Sequence, residues 1–142
     1  MATPTRRDTF AAAAALSAFA ATKANAEEGD DEDTLAASFD LDALSKENSE
    51  QDGPWLPFFD NNTMYTGIYE IPAGGEDNQQ PHRLDELYAV TKGRAVLNAG
   101  DEQFAAKPGS IFFVKAQVPY KFTNIEEDLQ VIVFFSKAGA EG

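Results

Sequence analysis

The stretch Gln80-Pro81-His82-Arg83-Leu84-Asp85-Glu86-Leu87-Tyr88 is where the fold is read. As a β-strand it would alternate its side chains between two faces, so that Gln80, His82, Leu84, Glu86 and Tyr88 share one side. An imidazole and a carboxylate then face the same way, four residues apart. A flat strand would hold them too far apart for one ion. Pro81 with a bulge or a strong bend is needed to bring them together. Asp85 points to the opposite face, so it forms no catalytic carboxylate pair with Glu86.

Working outward, short apolar runs alternate with turn residues from Gly53 to the end, the pattern of an all-β sandwich or barrel. Strands are predicted at Met64 to Ile71, His82 to Thr91, Arg94 to Ala99, Gln103 to Ala106, Ser110 to Lys115, Tyr120 to Asn124 and Leu129 to Ser136. The separators Pro72-Ala73-Gly74-Gly75, Lys92-Gly93, Gly100-Asp101, Lys107-Pro108-Gly109 and Val118-Pro119 each hold a glycine or proline suited to a turn. Ile132-Val133-Phe134-Phe135 is a continuous apolar run, as expected of a strand buried on both faces. No window carries a helical period. Upstream, Ser38 to Leu44 alternates apolar and polar residues and reads as a short edge strand or an N-terminal arm. Trp55, Phe58 and Phe59 are expected to close one barrel end or to lie in a homodimer contact.

The chain has 142 residues, room for one ordinary domain. It contains no cysteine, which rules out disulfides, zinc-thiolate sites and thiol nucleophiles. His82 is its single histidine, so no multi-histidine site can be built within one chain. The net charge of -13 argues against a nucleic-acid partner, whose phosphates require Lys and Arg. That charge is uneven: residues 27–52 hold eleven acidic side chains against one lysine, whereas the chain from Gly53 holds twelve acids and seven bases. Residues 27–52 therefore read as a solvated acidic linker and arm ahead of a single barrel domain at 53–142.

Residues 1–26 read as a signal peptide. Arg6-Arg7 stands before Phe10, followed by an Ala-rich apolar run to Ala21 and the small-residue site Ala24-Asn25-Ala26. The run is too short to span a bilayer, which takes about 20 apolar residues. The arginine pair resembles a bacterial twin-arginine signal. The expectation is a periplasmic or secreted protein cleaved after Ala26, with no membrane association in the mature form.

Two sets of landmarks resemble the motifs of the cupins. The first is Gly74 or Gly75, Gln80-x-His82, three residues, Glu86, six residues and Gly93. The second is Pro108-Gly109-Ser110, Ile111 to Val114, Pro119-Tyr120, three residues and Asn124. The likeness runs from about Gly67 to Phe135. It is nearest to small bacterial single-domain cupins, through Asp77, Gln79, Pro81, His82, Asp85, Glu86 and Tyr88.

The resemblance implies an all-β jelly-roll barrel of two antiparallel sheets with a divalent metal near its axis. The family's usual ligands are three histidines and a glutamate. By position these become Gln80, His82, Glu86 and Tyr120, with Gln79 as the alternative to Gln80. Two of the four are changed. Gln offers a neutral carbonyl oxygen, and Tyr binds a metal well only as phenolate. Such a hard set suits Mn, Fe or Mg over Cu and leaves Zn and Ni open. Tyr88 and Tyr120 are the acid or base candidates. The functional expectation is a mononuclear metal enzyme acting on a small organic molecule by dioxygenase, isomerase, lyase or decarboxylase-like chemistry. The alternative is a metal-free module that binds a small molecule or a sugar.

Overall fold

The computed structural model describes residues 33–138. They divide into two compact units between Asn62 and Thr63. The signal-like residues 1–26 lie outside the described residues.

The first unit holds a helix, α1 (Leu41–Ser49), and a strand, β1 (Trp55–Asp60). The edge strand that was one of the two expectations for Ser38 to Leu44 is corrected here, because Leu41 onward is helical. Asp40 decides it. Its extended backbone caps the helix, and its carboxylate accepts a hydrogen bond from the Ala43 N–H at 2.8 Å. Asp42 in the first turn and Lys46 in the last suit the helix dipole. Buried Asn48 ties the exit to β1: its side chain donates to the Pro54 carbonyl and accepts from Gln51, which also donates to the Trp55 carbonyl. Phe58 and Phe59 lie within β1, each with its ring against Phe39.

The second unit contains β2 (Met64–Ile71), β3 (Asp85–Lys92), β4 (Ala95–Ala99), β5 (Glu102–Ala106), β6 (Ile111–Val114), β7 (Tyr120–Thr123) and β8 (Leu129–Ser136). One sheet runs in the order β2-β8-β3-β6 and the other β5-β4-β7, a two-sheet jelly-roll arrangement. The pairs β2–β8, β8–β3, β3–β6, β5–β4 and β4–β7 are antiparallel, and β8, with its apolar run at the centre, pairs with both β2 and β3. Its burial alternates over the last residues: Val131, Val133 and Phe135 are buried while Phe134 is exposed. The buried-on-both-faces expectation for residues 132–135 is corrected accordingly, and one face of this sheet is open.

The inner faces meet through large side chains. Tyr88 on β3 contacts Tyr120 and Phe122 on β7, with ring centroids 5.7 and 5.6 Å apart. Leu97, Val131, Val133, Leu129 and Ile68 are buried around them. At about 25 cal/mol per Å² of apolar surface, this closure is the main force holding the sheets together. Gly93 fits a tight crossing between β3 and β4. It has φ +93°, and a Cβ there would lie 2.7 Å from the Leu129 Cα.

Candidate functional site

The loop between β2 and β3, residues 72–84, is the element that shapes the site, and one carboxylate organises it. Asp77 is 1% exposed. Its Oδ1 accepts from the Tyr69 hydroxyl at 2.7 Å and from the Gln79 N–H at 3.1 Å. Its Oδ2 accepts from the Phe122 N–H at 2.9 Å and from the Gln79 side-chain amide at 3.2 Å. Four donors satisfy the buried charge and pin the loop to both sheets.

This anchoring corrects the strand reading of residues 82–84. Regular pairing begins only at Asp85, so alternation governs Glu86 and Tyr88 but not Gln80 or His82. The bend needed to bring His82 near the strand is the loop itself. Gln80 is exposed, and Gln79 is turned inward with its amide held by Asp77. The loop is clamped from the far side as well. The Gln117 N–H donates to the His82 carbonyl at 2.7 Å, and the Ala116 N–H donates to Asp85 Oδ1 at 2.8 Å. Asp85 thus closes the β6–β7 connection rather than entering the site. Gln117 makes its bond from a left-handed backbone, φ +71°, an uncommon conformation for a side-chain-bearing residue.

Four of the predicted residues gather around Tyr120. The His82 ring stacks on the Tyr120 ring with centroids 5.7 Å apart, and it meets Phe135 edge-on at 4.8 Å. Tyr88 approaches Tyr120 from the strand. The Tyr120 hydroxyl donates to Gln79 Oε1 at 2.6 Å. Glu86 lies two residues before Tyr88 on the same inward face and is 2% exposed. Three buried polar atoms here have no hydrogen-bond partner: His82 Nε2, Glu86 Oε1 and Tyr88 OH. The Tyr88 hydroxyl lies between Glu86 and Tyr120, near enough to interact with both although it makes no well-formed hydrogen bond to either.

Burial sets the protonation states. It raises the Glu86 carboxyl to about 7, with the Asp77 charge adding to the effect and Tyr88 opposing it. It lowers the proton affinity of His82, partly offset by Asp77, which leaves the imidazole neutral at pH 7. Burial also raises Tyr88 and Tyr120 far from ionisation.

These states bear on a metal. Tyr120 uses its proton on Gln79, and its environment opposes the phenolate a metal would need. Gln79 Oε1 is engaged by that same bond, and Gln80 is turned to solvent. Among the described residues no group of three or more His, Asp and Glu side chains converges. His82 and Glu86 remain as two donors, and burial favours the protonated form of Glu86. Such a set does not fit a tight mononuclear centre.

Asp77 is the residue whose role residue-by-residue reading missed. Its signal was present in the motif Asp77-x-Gln79-x-Pro81-His82, but nothing in the spacing showed that it organises the loop.

Comparison with known proteins follows the same boundaries. Residues 67–135 match the family model described as Cupin domain. An uncharacterized protein of Streptomyces coelicolor is 42% identical over 99 residues, covering 70% of this chain and 94% of the relative. Among solved structures, an RmlC-like cupin from Shewanella frigidimarina superposes with a TM-score of 0.56 at 20% identity, over 65% of this chain and 85% of that one. The DMSP lyase DddQ from Ruegeria pomeroyi gives a TM-score of 0.54 at 16% identity. It covers 61% of this chain, which spans only 48% of that enzyme. At these identities the two structures speak to the fold alone.

Proposed function

The chain belongs to the cupin family, and from that premise we propose that it is a small-molecule-binding cupin whose His82, Glu86 and Tyr88 contact the ligand directly, without a metal. The observation that carries this reading is the trio of buried polar atoms without partners. Leaving such a group unsatisfied costs about 1–3 kcal/mol, a cost that a bound molecule removes. The trio offers an imidazole nitrogen, a carboxyl near its titration point and a phenol. It is flanked by the rings of Tyr120, Phe122 and Phe135. Buried Asp77 and Glu86 disfavour an anion. The ligand class that suits this chemistry is a neutral hydroxylated molecule with an apolar face, of which a sugar is the simplest example.

The retention of His82 and Glu86 favours a second reading. Here a divalent ion (Mn, Fe, Zn or Ni) sits on that pair, and the protein is an enzyme acting on a small organic molecule. Elemental analysis of untagged protein after metal loading, beside a His82→Ala variant, separates the two. We expect well under one ion per chain in both proteins. Stoichiometric metal in the parent, lost in the variant, overturns the metal-free reading in favour of the second.

We also infer that the mature protein resides in the periplasm or outside the cell, on the strength of the twin-arginine-like segment. N-terminal sequencing of the exported chain should begin at Glu27. An intact Met1 on protein recovered from the cytoplasm alone would refute export.

A further inference from the structure

We propose that Gln117 is a positioning residue for His82, acting through a backbone N–H that one peptide flip would withdraw. Lys115 to Val118 is a four-residue turn, closed by the Val118 N–H donating to the Lys115 carbonyl at 3.1 Å. Its third residue, Gln117, has φ +71°, while its second, Ala116, is not left-handed, the pattern of a type II turn. Glycine or asparagine is the ordinary occupant of that third position. Glutamine holds it under strain, and such strain persists only where surrounding contacts enforce it. The enforcing contact here is the Gln117 N–H donating to the His82 carbonyl at 2.7 Å.

The geometry of the turn defines the flip. Rotating the Ala116–Gln117 peptide converts type II to type I, returns Gln117 to negative φ and turns its N–H away from His82. The preceding N–H, that of Ala116, takes no part in the rotation and keeps its bond to Asp85 Oδ1. Asp85 thus holds the turn in place, while the next peptide decides whether His82 is anchored. Two features make His82 depend on that anchor. Residues 82–84 lie ahead of β3 and outside its ladder. The imidazole packs on the rings of Tyr120 and Phe135, and its buried Nε2 has no hydrogen-bond partner to aim it. Gln117 itself is exposed, so a substitution there changes the backbone preference and little else. The bearing of this anchor on ligand binding rests on the reading of His82 as a ligand contact.

The test is NMR of the full chain with two readouts, hydrogen exchange of the residue 117 amide and the ring signals of His82, the single histidine. Both are taken without ligand, so their failure is distinct from a failure to bind sugar. Gln117→Gly removes the strain and should raise protection of that amide about tenfold, with the ring signals unmoved. Gln117→Val puts a β-branched residue at positive φ. It should lower that protection by about tenfold or more and move the ring signals toward those of free histidine. Asn124→Val is the control, because Asn124 also has positive φ, +50°, and no part in the turn. It should lower the melting temperature and leave the ring signals in place. Circular dichroism checks that each variant is folded. Ring signals unmoved by Gln117→Val overturn the proposal, as does Asn124→Val moving them equally. Should Gln117→Val not fold, Gln117→Gly decides, and protection no higher than in the parent overturns the proposal.

Discussion

Glu86→Gln is the substitution whose effect follows most directly from the site. In the folded chain burial holds the Glu86 carboxyl at about 7, against 4.5 for the free group. Below pH 4.5 both folded and unfolded chains keep the proton, and the carboxyl contributes no pH dependence. As pH rises from 4.5 to about 7, the unfolded chain ionises first, so stability falls across that window and levels off above it. Each tenfold difference in proton affinity between the two states is worth about 1.4 kcal/mol, so the whole loss is on the order of 3 kcal/mol. Glutamine keeps the shape and cannot ionise. Urea unfolding of both proteins from about pH 4 to pH 8 should therefore show a difference that grows with pH, with Glu86→Gln the more stable by about 3 kcal/mol at the alkaline end. Taking the difference removes the contribution of the other carboxylates. A parent protein that is the more stable of the two at pH 8 would refute the reasoning. It would mean that the fold favours the ionised Glu86, as a cation held on His82 and Glu86 in the second functional reading would.

Asp77→Ala leaves four donors (the Tyr69 hydroxyl, the Phe122 N–H and both Gln79 donors) without their acceptor, so unfolding free energy should drop by about 4 kcal/mol. A loss below about 1 kcal/mol in urea unfolding would show that the loop does not depend on it. Gly93→Ala adds a Cβ at positive φ against the start of β8 and should cost at least about 2 kcal/mol. Thermal unfolding of this variant within a degree or two of the parent would contradict the close approach.

The sheets were legible in the sequence because each strand is a short apolar run fenced by glycine or proline. Met64 to Ile71 and Leu129 to Ser136 coincide with β2 and β8. Helix α1 was not legible, since nine residues span fewer than three turns and the segment ahead of it alternates as a strand does. What reveals it is a capping bond from Asp40, a local interaction rather than a period. The site was half legible. Glu86 and Tyr88 share a face because they lie in a strand. Alternation could not choose between Gln79 and Gln80, because both lie in a loop whose geometry is set by Asp77 from across the fold. Tyr120 was visible as a changed ligand position. That its proton is committed to Gln79 depends on a contact between residues 41 positions apart.

For the proposed contact of the buried trio with an organic ligand and not a metal, the chain supplies its own reporter, because His82 is its single histidine. The decisive measurement is the side-chain ¹⁵N spectrum of His82 in untagged protein at pH 7, titrated with Zn²⁺ and, separately, with a panel of neutral sugars. We expect a neutral imidazole whose Nε2 resonance is unmoved by one equivalent of Zn²⁺ and shifts on binding a sugar. An Nε2 resonance that saturates at one equivalent of Zn²⁺ while no sugar moves it would overturn metal-free binding.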